Sequence, residues 1–121
     1  MDLKSFYSNV GGDYDVMMTR MGKKEERIIK FLNKFTKDPS FENLKEALAA
    51  GNAEEAFRAA HTIKGVCQNL SFTKLYESSH LLTENLRAGY GADTDELVQR
   101  VEADYHQTMA AIEELQTGNP A

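Results

Sequence analysis

Between Ala56 and Leu70, small and apolar residues return every three or four positions: Ala56, Ala59, Ala60, Ile63, Cys67 and Leu70. Only an α-helix, at about 3.6 residues per turn, brings that set onto one side. That side must be buried against other elements, and the opposite side must meet water. His61 lies two residues before Ile63, about 200° around the helix, and belongs to the water-facing side. Phe57, Arg58, Lys64, Gly65 and Gln68 sit three, four or seven positions from His61 and share its face.

The rest of the chain reads as further helices cut by turn residues. Leu3, Phe6, Tyr7 and Val10 have helical spacing until Gly11-Gly12 interrupts. Asp13 can cap a second short helix through Met21, with Gly22 as its left-handed stop. From Lys24 to Lys37 an apolar stripe of Ile28, Phe31, Leu32 and Phe35 runs beside a basic one. Asp38-Pro39 then punctuates the chain, and Phe41, Leu44 and Leu48 point inward on a helix that ends at Gly51. Asn52 followed by Glu55 resembles a capping box and opens the His61 helix. Thr73 is placed to cap the next helix, whose core face is Leu75, Ser79, Leu82 and Leu86. After Gly89-Tyr90-Gly91, Asp93 or Thr94 can cap a last helix with the stripe Leu97, Val101, Tyr105, Thr108, Ile112 and Leu115, stopped at Thr117-Gly118-Asn119-Pro120.

These patterns predict an all-α fold: an antiparallel four-helix bundle over residues 23–117, preceded by one or two short accessory helices over residues 1–22. The 121 residues suffice for one domain and one core. A net charge of −5 argues against nucleic-acid binding, which needs surplus Lys and Arg. Seven basic residues, Arg20, Lys23, Lys24, Arg27, Lys30, Lys34 and Lys37, nonetheless crowd one segment, and residues 93 to 114 carry seven acids against Arg100 alone. Cys67 is the lone cysteine, so no disulfide or thiolate metal cluster is expected. His61, His80 and His106 are too widely spaced for a compact metal motif. No apolar signal region or membrane-length run is present, which points to a cytoplasmic protein without membrane contact. A chain that starts at Met1 and ends just past its last helix reads as a free-standing module.

The chemistry concentrates at His61. An exposed neutral imidazole is a good nucleophile near neutral pH and can accept a phosphoryl group. Lys64, one turn on, can offset the charge that builds on phosphoryl oxygens during in-line transfer. Gly65 leaves the surface bare where a partner's active site would have to approach.

The segment His61-Thr-Ile-Lys64-Gly65 resembles the signature of histidine phosphotransfer (HPt) domains, four-helix phosphocarriers of two-component phosphorelays. The similarity extends through Ala47, Gly51-Asn52, Ala59-Ala60, Asn69-Leu70 and Leu82 to Arg87. It implies His61 as the phosphorylated residue, Lys64 as its electrostatic support and Gly65 as clearance for a receiver domain. It also implies response-regulator receiver domains and a sensor histidine kinase as partners, with Mg²⁺ supplied by the receiver and no cofactor or metal held by this chain. The sequence departs from the family pattern at Ser71, where many members have Gly, and at Val66, where many have Ser or Ala. On the facing helix many members place Gln or Glu against the histidine; the matching residue is Thr83, with Glu84 beside it.

The expected function is relay of a phosphoryl group through His61 by a monomeric carrier. The chain has no phosphate-binding Gly loop and no room for an ATP-binding domain, so an autokinase is not expected. The receiver surface is expected to include Phe57, Arg58, Gln68 and Thr83, with Met17 or Met21 adding flexible thioethers. The alternative is a non-catalytic helical module that binds receivers without carrying phosphate.

Overall fold

The structure is a computed structural model that describes residues 1–117. Seven helices follow in order: α1 (Leu3–Asn9), α2 (Tyr14–Arg20), α3 (Glu25–Thr36), α4 (Ser40–Ala49), α5 (Ala53–Leu70), α6 (Thr73–Arg87) and α7 (Thr94–Thr117). No strand occurs among the described residues. Residues 23–117 supply five helices: α4 to α7, each packed on the next, and α3, which stands with the accessory pair. The stop signal after Thr117 lies outside the described residues.

Local chemistry sets most boundaries. Asp2 accepts from the Ser5 N–H and Asp13 from the Val16 N–H, each satisfying a donor that the first turn leaves free. Asn52 does the same for Glu55 at 3.1 Å, so the His61 helix starts where the capping signal put it. Gly22 ends the second helix region with φ of 66°. Thr73, by contrast, is no cap. It is the first helical residue of α6, and Phe72 holds the cap position without a side-chain hydrogen bond. The next N–H, that of Lys74, is satisfied instead by the Val10 carbonyl at 3.2 Å. Thr94 also turns elsewhere: its hydroxyl donates to Asn85 and accepts from the Gly91 N–H.

Phe72 is where the accessory helices join the bundle. It is fully buried and meets Phe6 edge-on at 5.8 Å, Phe35 edge-on at 5.1 Å and Tyr7 at 6.5 Å. Edge-to-face pairs add about 0.5–1.5 kcal/mol each beyond the area they bury. Beyond Phe35, which lies 6.0 Å from Tyr105, Phe41 of α4 stacks on Tyr105 of α7 at 3.8 Å. Buried Ser78 and Ser79 return their hydroxyl protons to the Leu75 carbonyl, which lets α6 lie close to α5 with neither hydroxyl stranded. Phe31 departs from its expected inward place: it is 38% exposed, with the Lys34 ammonium 5.1 Å from its ring centre.

The junction between the accessory helices and the end of α5 is tight. Ser71 closes α5 in the left-handed conformation at φ 60°, ψ 38°, which accounts for the glycine preference of the position. Its hydroxyl accepts from the Asp13 N–H at 3.0 Å, a bond glycine cannot make. A Cβ on Gly12 would stand 1.9 Å from the Ser71 carbonyl oxygen, so only glycine fits there.

Candidate functional site

Helix α5 buries Ala56, Ala59, Ala60, Ile63, Cys67 and Leu70, the stripe read from the sequence. With that face fixed by α4 and α6, His61 is left exposed on the opposite side. The Phe57 ring, half-buried one turn earlier, lies 6.0 Å from the imidazole and tilted by 33°. Lys64 and Gly65 are half-buried and Gln68 is exposed along the same face. A Cβ built on Gly65 meets nothing within 4 Å, so no packing inside the chain requires glycine at this position. Lys64 takes part in none of the ion pairs among the described residues. Arg58 shares the face by spacing, but its guanidinium turns back to Glu54 and Glu55 at 3.1 and 3.3 Å.

The neighbouring helix contributes two residues that periodicity alone did not single out. The Arg87 guanidinium lies 4.9 Å from the centre of the Phe57 ring and pairs with Glu84 at 3.1 Å. Further along, Cys67, Gln68 and Ser71 share a cleft with Thr73 and Tyr76. Both observations show α6 running back along α5, with Arg87 beside Phe57 at one end and Tyr76 beside Cys67 and Gln68 at the other. The Arg87 hydrogen bond holds the Glu84 carboxyl below its usual range, and the charges of Arg87, His80 and Lys64 act in the same direction. The only sequence signal for Arg87 was its place at the end of the α6 run, and its contact with Phe57 depends on register.

Two expected surface residues are inside the fold. Met17 is fully buried, because α2 turns it into the core cluster that also holds Phe6 and Tyr7. Thr83 is also fully buried, and its hydroxyl donates to the Ser79 carbonyl at 2.6 Å, so it offers a partner no surface and its proton is already committed. Met21 is half-buried and packs against the core. Cys67 is buried, and burial pushes its thiol well above the usual range, so it is no nucleophile. His80 stacks on Tyr76, and His106 packs edge-on to Phe41. Among the described residues no group of three or more His, Cys, Asp or Glu could hold a metal ion, and no helix is long and apolar enough to cross a membrane.

A family model for the Hpt domain matches residues 37–116, from the residue after α3 through nearly all of α7. The chain belongs to the Hpt-domain family. No curated protein and no solved structure matches it. Membership implies histidine phosphotransfer in two-component systems, by a phosphocarrier that works with receiver domains and histidine kinases. In this Hpt domain α1, α2 and α3 lie outside the matched range, yet Arg20 of α2 reaches the end of the His61 helix and donates to the carbonyls of Gln68 and Asn69.

Proposed function

We propose that His61 is the phosphoryl acceptor and donor of a phosphorelay, and that this chain carries the group between receiver aspartates or takes it from a sensor histidine kinase. A ring nitrogen of His61 attacks the phosphorus of an aspartyl phosphate in line. The acyl P–O bond breaks, a P–N bond forms and the receiver carboxylate leaves with its electron pair. The reverse step loads the next receiver. Lys64 offsets charge on the equatorial oxygens, and the receiver brings the Mg²⁺ and the acidic pocket. Catalytic power thus lies mainly in the partner, and the carrier needs no ATP site.

The observation that carries this reading is the state of the surface around the nucleophile. His61 is exposed, Lys64 is free of ion pairs among the described residues, and the space above Gly65 is open. Together they let a partner's aspartate approach the imidazole with a cation beside it. Phe57 and Gln68 extend that surface as the docking area, and a cytoplasmic monomer is the form in which we expect it to act.

Transfer from a partner tests the proposal. Receiver domains encoded with this chain are phosphorylated with labelled acetyl phosphate, freed of donor and mixed with the protein in the presence of Mg²⁺. Label should pass to the wild-type chain and not to His61→Gln. If a receiver binds both proteins equally and passes label to neither, the chain is a binding module rather than a carrier.

A further inference from the structure

Four side chains on the seam between α5 and α6 form an electrostatic sequence that the carrier reading leaves unused. Lys64 is half-buried beside His61 and in no ion pair among the described residues. Glu84 lies one turn before Arg87 on α6 and pairs with it. It is an anion on which the Lys64 charge acts. It is held by Arg87, through Nη2 to Oε2 at 3.1 Å and Nε to Oε1 at 3.4 Å. The guanidinium also lies over the Phe57 ring, 4.9 Å from its centre, and Phe57 is the ring next to His61. A planar fork that pairs with a carboxylate and stacks on an aromatic ring is something Arg can provide and Lys cannot.

From this geometry we propose that Arg87 is a positioning residue for phosphotransfer: by occupying the Glu84 carboxylate it keeps the Lys64 charge available to the phosphoryl group at His61. The inference rests on the phosphocarrier reading. With Arg87 in place, Arg87 and Glu84 cancel and Lys64 remains as one net positive charge beside the nucleophile. Without Arg87 the carboxylate is released toward Lys64, and the pair presents no net charge. Without both Arg87 and Glu84 the Lys64 charge is restored. Arg87 dominates the field at the Glu84 carboxyl, and Lys64 contributes the least of the charges that act on it. Glu84 and Arg87 are both largely exposed, so solvent screening keeps the effect modest.

The test needs only the protein and phosphoramidate. In this reaction the donor P–N bond breaks, ammonia leaves and a P–N bond forms on His61, and intact mass follows the adduct with time. Arg87→Ala should slow labelling by about threefold, the size of change that one exposed charge contributes. Glu84→Gln should match or exceed the wild-type rate, and Arg87→Ala with Glu84→Gln should recover it. Arg87→Lys, which keeps the charge and loses the fork, should fall between wild type and Arg87→Ala. On a Lys64→Ala background Arg87→Ala should slow labelling by less than it does with Lys64 present. Equal slowing by Arg87→Ala with and without Lys64, or no recovery by Glu84→Gln, would mean that Arg87 acts directly or through the fold and would overturn the proposal. Failure of the wild-type protein to form any adduct at His61 would remove the carrier reading itself, which these rate differences alone cannot do.

Discussion

Arg20 donates from its guanidinium to the Gln68 carbonyl at 3.1 Å, and through it a helix outside the family match caps the helix that carries His61. The same nitrogen reaches the Asn69 carbonyl at 2.9 Å. A cation at a helix C-terminus satisfies orphan carbonyls and opposes the negative end of the helix dipole. The accessory helices are therefore part of the support of the site.

Arg20→Ala should lower stability by about 1 kcal/mol, since a charged donor is lost from two exposed carbonyls. In urea unfolding the midpoint should fall while the slope with denaturant stays the same. An unchanged midpoint would show that the cap contributes nothing in solution.

Ser71 separates two opposing effects at the end of α5. Its left-handed backbone costs a side-chain-bearing residue about 1–2 kcal/mol relative to glycine, and its hydroxyl bond to Asp13 N–H returns about 0.5–1.5 kcal/mol. Ser71→Ala, which keeps the strain and loses the bond, should destabilise by about 1 kcal/mol. Ser71→Gly should stay within about 0.5 kcal/mol of wild type because the two changes offset. Unfolding curves of the two variants in one buffer measure the difference.

The two glycines near the site should respond in opposite ways to Ala. Gly12→Ala drives a methyl group into the Ser71 carbonyl and should destabilise by about 3 kcal/mol or more. Gly65→Ala meets open space in mid-helix and should stabilise by about 0.5–1 kcal/mol. Gly65→Gln should leave phosphoramidate labelling intact and slow transfer from a phosphorylated receiver at least tenfold, because the added side chain obstructs only a macromolecular partner. Equal receiver rates for Gly65→Gln and wild type would remove the clearance role.

Alkaline pH should weaken the fold in two stages. Burial raises the Cys67 thiol above its ordinary 9.0 and the Tyr7 phenol above its ordinary 10.0, so near these values the unfolded chain loses protons before the folded one. The stabilisation is whole below pH 9 and is lost as pH rises. One such group gives a slope near 1.4 kcal/mol per pH unit, and the phenol adds to it above pH 10. Cys67→Ala should flatten the first stage, between about pH 9 and 10, and leave the second. Urea midpoints from pH 8 to 11 for the two proteins check this.

What could be read from the sequence was whatever a single helix decides by itself. The buried stripe of α5, the exposed place of His61 and the caps at Asp13 and Asn52 are consequences of local spacing and local hydrogen bonds. What could not be read depends on how one helix meets another. Met17 suits a flexible contact surface as well as a core, and only the packing of α2 buries it. Thr83 is matched to the histidine by the family pattern, yet it lies buried and bonds to its own helix. Arg87 reaches Phe57 only because α5 and α6 run antiparallel at one particular offset, and no periodicity within either helix contains that offset. Phe31 fitted an inward stripe, yet neighbouring Ile28, Leu32 and Phe35 take the buried positions.

The most direct measurement of the central claim is intact mass after incubation of the purified protein with phosphoramidate under non-acidic conditions, beside His61→Gln. The account predicts a single phosphoryl adduct that is lost in acid and absent from the variant. No adduct on a folded wild-type protein, or an adduct of equal yield on His61→Gln, would contradict it.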